Sequence, residues 1–514
     1  MSPRNATLAT FTLALAAALP TAHAGNFDDA FSLFDRSLAT FNPIGNYVRK
    51  PIERLSPQLT FKGYLRQSTD VLVMPHDTVA NRAQDFRFLQ LQNLLEIKTG
   101  YNVAPGLDVN AVVHGMYDGA YDWQGSKGLF ADHADLSNAY YHTAGETLRE
   151  FYVSYRTPAF DVMLGKQQVS WGKMDGQFID IINAMDRREA VQLESEDYEW
   201  RRIPTWMLNT TFHYGNNSLQ LLYIFDFEKD RQAQPGSPWF SPYLPVGGND
   251  IRLSPRQPRG GHFNDHEFGM RFDRAVGALT YGFIYAWLWD RNPVDRIVGT
   301  SLVGGDRVLD LESRHQRLHH FGATADYATT LPALPWVGAL PAVFRVEALF
   351  TKGVRFQDYG LQALARTGYN TNGTDQHDTL RAAVAAEFGL PANTSLIFQA
   401  SYYQTLDWRP TLGPGFGGGI GDEWTLIPLV YVSRPFAFTR DRLSANITLF
   451  PVLSGPVKEW QGLKTKIRVK YKFSQFITGQ LVYNSYDLGT GSNFDLYGMY
   501  DKWDNFGWEL KYEF

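Results

Sequence analysis

The chain has 514 residues, carries 48 Lys and Arg against 53 Asp and Glu for a formal charge of −5, and contains no cysteine. Disulfides, thiolate metal sites and lipid attachment at a cysteine are therefore excluded, and the charge gives no case for a nucleic-acid partner. Mean hydropathy is −0.29, as in an ordinary soluble chain, yet 15% of the residues are aromatic; a membrane barrel combines the two, because it needs apolar residues only on its outer face and at interfacial girdles.

The N-terminus reads as a secretory signal. Arg4 supplies a short positive region, Leu8 to Leu19 an apolar run, and Ala22-His23-Ala24 a small-x-small site, so cleavage is expected after Ala24. The alternative, a membrane anchor, needs roughly 20 apolar residues and the run is too short. No later stretch resembles a transmembrane helix. In 25–56, Phe27, Phe31, Phe34 and Leu38 form one stripe of a helix, either packed against the barrel wall or partly disordered, or else serving as a plug or periplasmic docking element.

From residue 57 onward the pattern changes to period two. Leu219, Leu221, Tyr223, Phe225 and Phe227 share one strand face opposite Gln220, Asp226 and Glu228. Leu279, Tyr281, Phe283, Tyr285, Trp287 and Trp289 share another; Phe344, Val346, Ala348 and Phe350 alternate with Arg345 and Glu347. Ile467, Val469, Tyr471 and Phe473 alternate with a basic row, Lys464, Lys466, Arg468, Lys470 and Lys472. The last segment sets Trp508, Leu510, Tyr512 and Phe514 against Glu509, Lys511 and Glu513, and is similar to the C-terminal signal by which outer-membrane proteins are recognised for insertion.

These repeats predict an all-β fold, a transmembrane antiparallel β-barrel over 57–514, because an open sheet edge would leave backbone groups unsatisfied in hydrocarbon. Strands are expected near 58–72, 86–102, 106–117, 147–157, 159–169, 204–214, 217–228, 265–274, 277–290, 316–328, 341–352, 379–390, 394–408, 424–433, 436–450, 463–473, 476–487 and 503–514. Parity supports eighteen. Even-numbered connections are tight, such as Gly215-Asn216 and Arg434-Pro435, whereas odd-numbered ones include 118–146, 170–203, 229–264, 291–315 and 353–378. The 329–340 connection is longer than its class. The 424–433 strand, which carries Pro428, is the weakest; omitting it would put the C-terminus on the wrong side. Sixteen is the alternative count. A soluble chain of this length would normally divide into domains, and no linker is visible.

Two groups of residues could carry function. If Ile467, Val469, Tyr471 and Phe473 face lipid, the row Lys464, Lys466, Arg468, Lys470 and Lys472 faces the lumen, as do Lys62 and Arg66 of the first strand, giving a lining that attracts anions. Glu509 and Glu513 could cancel it. The second group is the long 170–203 connection, whose Trp171, Lys173, Asp175, Asp180, Asp186, Arg188, Glu189 and Arg202 could fold inward and constrict the pore; the alternative is an exposed surface loop.

Around this connection a resemblance appears. Arg149-Glu150-Phe151-Tyr152-Val153, the G-K-Q-Q-V segment at 165–169, W-G-K-M-D-G at 171–176, Asp180, Asn183, Asp186, Arg188-Glu189 and Arg202-Ile203-Pro204 together resemble a proteobacterial family of outer-membrane proteins of unknown function. The resemblance is clearest over 145–225. It implies a signal peptide, an outer-membrane barrel and association with exporters of the resistance-nodulation-division (RND) type. Ala184-Met185 stands where the resemblance leads one to expect a proline-bearing turn before the Asp. A looser similarity is to polysaccharide-exporting barrels with Arg/Lys-rich lumens.

Enzymatic readings are weaker. Asn264-Asp265-His266-Glu267 and His315, His319 and His320 have no nucleophile tied to them, and His319 and His320 point to opposite strand faces. Neither an enzyme nor any metal or cofactor is expected. The reading is an outer-membrane channel, porin-like, passing a solute, anionic or exported, through a charged lumen. Its expected partners are outer-membrane lipids, the barrel-assembly machinery and an inner-membrane RND-type exporter or periplasmic carrier. Alternatives are a FadL-like route for hydrophobic compounds and a structural sheath around a partner protein.

Overall fold

The computed structural model describes residues 41–73, 87–124, 144–174, 179–189, 198–233, 239, 251–303, 306–334, 338–413, 422–456, 460–487, 500 and 503–514. The signal segment, the Phe27–Leu38 stripe and Asp175 lie outside these residues.

Eighteen strands form one antiparallel sheet closed on itself. They are β1 (Leu59–Leu72), β2 (Phe88–Ala104), β3 (Leu107–Asp118), β4 (Leu148–Arg156), β5 (Phe160–Gln167) and β6 (Thr205–Tyr214). Next come β7 (Asn217–Ile224), β8 (Glu267–Val276), β9 (Leu279–Trp289), β10 (Arg317–Leu334), β11 (Gly338–Gln357) and β12 (Thr374–Leu390). The wall is completed by β13 (Thr394–Thr405), β14 (Trp424–Pro435), β15 (Leu443–Gly455), β16 (Trp460–Lys472), β17 (Ile477–Asp487) and β18 (Asn505–Glu513). Each strand pairs with the next. The last pairs with the first from Tyr64↔Glu513 to Leu72↔Asn505, and Phe514 and Gly63 exchange backbone hydrogen bonds of 2.9 and 3.1 Å. Closure leaves no exposed sheet edge in the wall.

The alternation read in the sequence sorts side chains to two faces. Leu221, Phe283, Phe321, Val346, Val384, Phe398, Ile467, Val469, Leu481 and Trp508 are all exposed on the outside, forming an apolar belt, while their neighbours in sequence face inward. Short connections, the segment from Phe41 to Leu55 and Phe514 share one end of the barrel, the turn end. There Gly215 adopts φ +56° in the tight link from β6 to β7, a backbone conformation a side chain would disfavour. Long connections share the opposite, loop end.

Several boundaries differ from the sequence expectation. β10 runs to Leu334 and β11 restarts at Gly338, so the 329–340 connection is as tight as its class. β15 begins only at Leu443, after a single turn of 3-10 helix at Ala437–Thr439. β7 stops at Ile224. Phe227 therefore leaves the outer face and packs edge-on against His315, 4.8 Å between ring centres. The 229–264, 291–315 and 353–378 connections are not plain loops. Ile251–Arg256, Val294–Val303 and Asp306–Arg314 build a three-stranded sheet, and Tyr359–Arg366 is a helix capped by Asp358, whose side chain accepts from the Leu361 N–H. These strands were missed because they lack sustained alternation of apolar and polar residues.

At the turn end, Gly45–Leu55 is helical and sits beside the seam that closes the barrel. The Tyr512 hydroxyl donates to Asn42 Oδ1 at 2.8 Å and accepts from the Ile44 N–H at 3.1 Å. Phe514, buried, packs on Phe61 and Tyr512 with ring centres about 6 Å apart. Of the terminal alternating residues, Trp508, Leu510 and Tyr512 share the outer face with Phe506.

Candidate functional site: the lumen and its inserted segment

The connection from β5 to β6 turns into the barrel. Gly165, in the G-K-Q-Q-V motif, starts this course: its φ is +142° and a Cβ there would lie 2.2 Å from the Phe151 carbonyl oxygen, so only glycine fits against β4. Asp180 then acts as a hub. Its carboxylate accepts from the Trp171 and Gly172 N–H groups at 2.7 and 2.9 Å and from Arg202 Nε at 3.0 Å, tying both arms of the segment together. Asn183 does the same deeper in, accepting from the Val169 N–H at 2.7 Å and donating to the Ile203 carbonyl at 3.0 Å. Ala184-Met185 pairs as a short strand with Arg202-Ile203.

The segment is held to one side of the lumen by an apolar core. Val169, Trp171, Met174, Ile179 and Ile182 pack with the inward residues Met207, Leu222, Ile224, Ile284, Ala286, Leu288, Leu349, Ala383 and Ala385 of β6 to β12. Trp171 is 2% exposed, and its indole N–H donates to Gln220 Oε1 at 2.8 Å. Polar bonds reach the same wall: the Lys173 N–H donates to Glu347 at 2.8 Å, the Lys173 amine pairs with Asp326, and Arg291 Nη2 donates to the Ile182 carbonyl at 2.6 Å.

On its other side the segment is charged. Asp186 accepts from Arg188 Nε at 2.9 Å and Glu189 pairs with Arg201 at 3.3 Å. Burial alone would push the Asp186 carboxyl up, but the Arg188 and Arg201 guanidinium groups outweigh it and hold it at about 2. The segment's edge reaches β2, where Glu199 pairs with Lys98.

Beside this edge lies a cavity of about 720 Å³ bounded by β16, β17, β18, β1 and β2. Nine basic and five acidic side chains line it, an excess of positive charge. Of the sequence-predicted lining, Lys62, Arg66, Arg468, Lys470 and Lys472 border the cavity, whereas Lys464 and Lys466 are buried higher on the same strand. Glu509 lies 3.8 Å from Arg66 and Glu513 2.6 Å from Lys511. Lys62, Lys470 and Lys472 form no ion pair among the described residues. Of the constriction candidates, Trp171, Lys173 and Asp180 face the packed side, Asp186, Arg188 and Glu189 the charged side, and Arg202 joins the two arms. The inner apolar wall was missed: its residues alternate with equally apolar outer ones, so period two gave no sign of a second buried face.

His320 is buried inside with Nδ1 2.9 Å from the Thr351 hydroxyl, and the His319 ring lies beside Tyr285. Among the described residues no cluster of His, Asp and Glu has a geometry that could hold a metal ion.

Among curated proteins none matches the chain significantly. Solved structures with similar overall traces include OccAB4 of Acinetobacter baumannii, 8% identical with a TM-score of 0.49 over 89% of this chain and 98% of that one. OccAB1 of the same organism is 10% identical, TM-score 0.49, over 88% and 95%, and Pseudomonas aeruginosa OccK1 is 8% identical, TM-score 0.47, over 89% and 99%. A family model described as "Protein of unknown function (DUF1302)" matches residues 83–446, from the β1–β2 connection through the inserted segment to β15, and the chain belongs to that family.

Proposed function

We propose that the protein is an outer-membrane channel that passes small anionic solutes through the cavity between the inserted segment and the β16–β2 wall. The observation that carries this reading is the excess of basic side chains lining a polar cavity inside a closed barrel whose outside is apolar. Wall charges inside a low-dielectric ring raise the local concentration of counter-ions. The inserted segment would set the width and the basic row the sign of the preferred ion. In this orientation the turn end is periplasmic. An inner-membrane exporter of the RND type or a periplasmic carrier would meet the chain there, and the barrel-assembly machinery would read Trp508, Leu510, Tyr512 and Phe514. No covalent step belongs to this reading.

Planar-bilayer recording tests it. Under a salt gradient the reversal potential should report anion preference, and Arg468→Glu/Lys470→Glu/Lys472→Glu should move it toward cations. The shift should fade as the Debye length falls from about 10 Å at 0.1 M to about 3 Å at 1 M salt. A folded protein, verified by heat-dependent gel mobility, that passes no current overturns the channel reading.

A further inference from the structure

The seam between β14 and β15 is interrupted. Pairing runs to Leu426↔Leu453 and resumes at Val430↔Leu449 in the same register, leaving the three facing positions between them without ladder bonds. Where other seams of the described wall depart from regular pairing, they do so by a shift of register, the mark of a bulge. Here the register holds and the hydrogen bonds are missing. The cause is in the sequence: the constant register sets Pro428 opposite Pro451. In an antiparallel sheet an opposed hydrogen-bonded pair exchanges two N–H···O bonds. Proline has no N–H, so such a pair loses both bonds, and the pair on each side loses one of the bonds that define it.

This break lies in the apolar belt. Leu426 and Val430 on β14, and Leu449 and Leu453 on β15, share the outer face with the two prolines. Two carbonyls without cross-strand donors are disfavoured in hydrocarbon, so the wall resists separation less here than along a fully bonded seam. Behind the break, the inward residues are apolar: Ile427 and Leu429 face Val452 and Phe450, with Leu429 and Val452 fully buried. Phe450 in turn faces Lys464 of β16, whose Nζ lies 5.9 Å from the Phe450 ring centre. The basic row that starts in the cavity at Lys472 thus climbs β16 on alternate positions and ends beside an apolar patch at the interrupted seam.

We propose that the β14–β15 seam is a lateral portal for single-chain anionic amphiphiles, the headgroup held on the basic row while the apolar chain passes between lumen and bilayer through the Pro428–Pro451 break. The proposal rests on the channel reading, since the headgroup reaches the row through the lumen.

The absence of native cysteine makes the test direct. Opposed residues of a hydrogen-bonded pair have Cα atoms about 5.5 Å apart, within disulfide reach, so Pro428→Cys/Pro451→Cys would lock the seam on oxidation. Uptake of radiolabelled dodecanoate and of benzoate would be compared in Gram-negative cells that lack their own fatty-acid channel and express the full chain. Dodecanoate uptake should fall to the background of cells without the protein when the bond forms and return on reduction, with benzoate uptake unchanged throughout. Equal dodecanoate uptake in oxidised and reduced cells, with the bond verified by mass, overturns the portal. So does a parallel loss of benzoate, which would make the seam a general support of the pore. Uptake of neither probe by the unmodified protein overturns the channel reading itself. If the cysteine variant does not assemble, Pro428→Val/Pro451→Val restores both N–H donors and should lower dodecanoate uptake alone.

Discussion

The two sides of this barrel share an outer surface and differ inside. On the β6–β12 side the inward face carries a cluster of Met, Leu, Ile and Ala, buried because Trp171, Ile179 and Ile182 of the inserted segment cover it. On the β16–β2 side the inward residues are Lys, Arg, Glu and Gln, and they border an open cavity. An apolar inner wall facing water would be as unfavourable as one on any soluble protein, so the segment and the wall require one another. The charged side needs no cover. A wide ring of strands is thereby reduced to a narrower bore with one packed wall and one charged wall. In the channel reading, width is governed from one side and charge from the other.

The largest effect should come from uncoupling the segment from its wall. Trp171→Ala removes a fully buried indole, a change of the kind that costs about 3–5 kcal/mol. Single-channel conductance should rise and the segment should become open to protease, while heat-dependent gel mobility of the barrel persists. Unchanged conductance would mean that the segment does not narrow the path. Arg202→Ala should have a smaller effect in the same direction. Asp180 loses its cation but keeps the Trp171 and Gly172 N–H donors, and hydrogen bonds to charged groups contribute about 1.5–3 kcal/mol each. Conductance noise from a partly released segment is the measurement.

Acid should release the charged side of the segment. The Asp186 carboxyl sits at about 2, below its ordinary 3.8. A depressed value means the carboxylate stabilises the folded segment above the unfolded value and that this contribution disappears as pH falls from there through about 2. The loss is roughly 2 kcal/mol. Conductance should therefore be flat from pH 7 to about 5 and rise between about 4 and 2, and Asp186→Asn should show the raised level at neutral pH. A rise already complete at pH 5 would point to a different group.

How much of this was legible in the sequence follows from the same contrast. Every barrel strand could be placed, because the outer belt alternates with something polar or small on most strands, and Ile467, Val469 and their basic neighbours gave both faces of β16. The inner apolar wall could not be read, since Leu222 and Ile284 stand between outer residues as apolar as themselves. Asp180, Asn183 and Arg202 were visible as a dense polar cluster, but their bonds join residues that only the fold brings together. Pro428 looked like a reason to doubt a strand. Its meaning depends on Pro451 across the seam, a pairing that local periodicity does not report.

The smallest expected effect sharpens the charged side alone. Glu199 stands at the segment's edge, its side chain 66% exposed, paired with Lys98 of β2. An ion pair this open contributes between about 0 and 1 kcal/mol, so Glu199→Gln should leave assembly and conductance nearly unchanged. The electrical consequence is separate from the mechanical one. Removing one carboxylate from a lining already rich in cations, with Lys98 still paired to Glu96 at 3.1 Å, should increase anion preference measurably at 0.1 M salt, where the Debye length is about 10 Å. If the segment served only as a steric wall, selectivity would stay where it was. If Glu199→Gln instead raised conductance as Trp171→Ala is expected to, the pair with Lys98 would be an anchor rather than part of the lining, and width and charge would not be divided between the two sides.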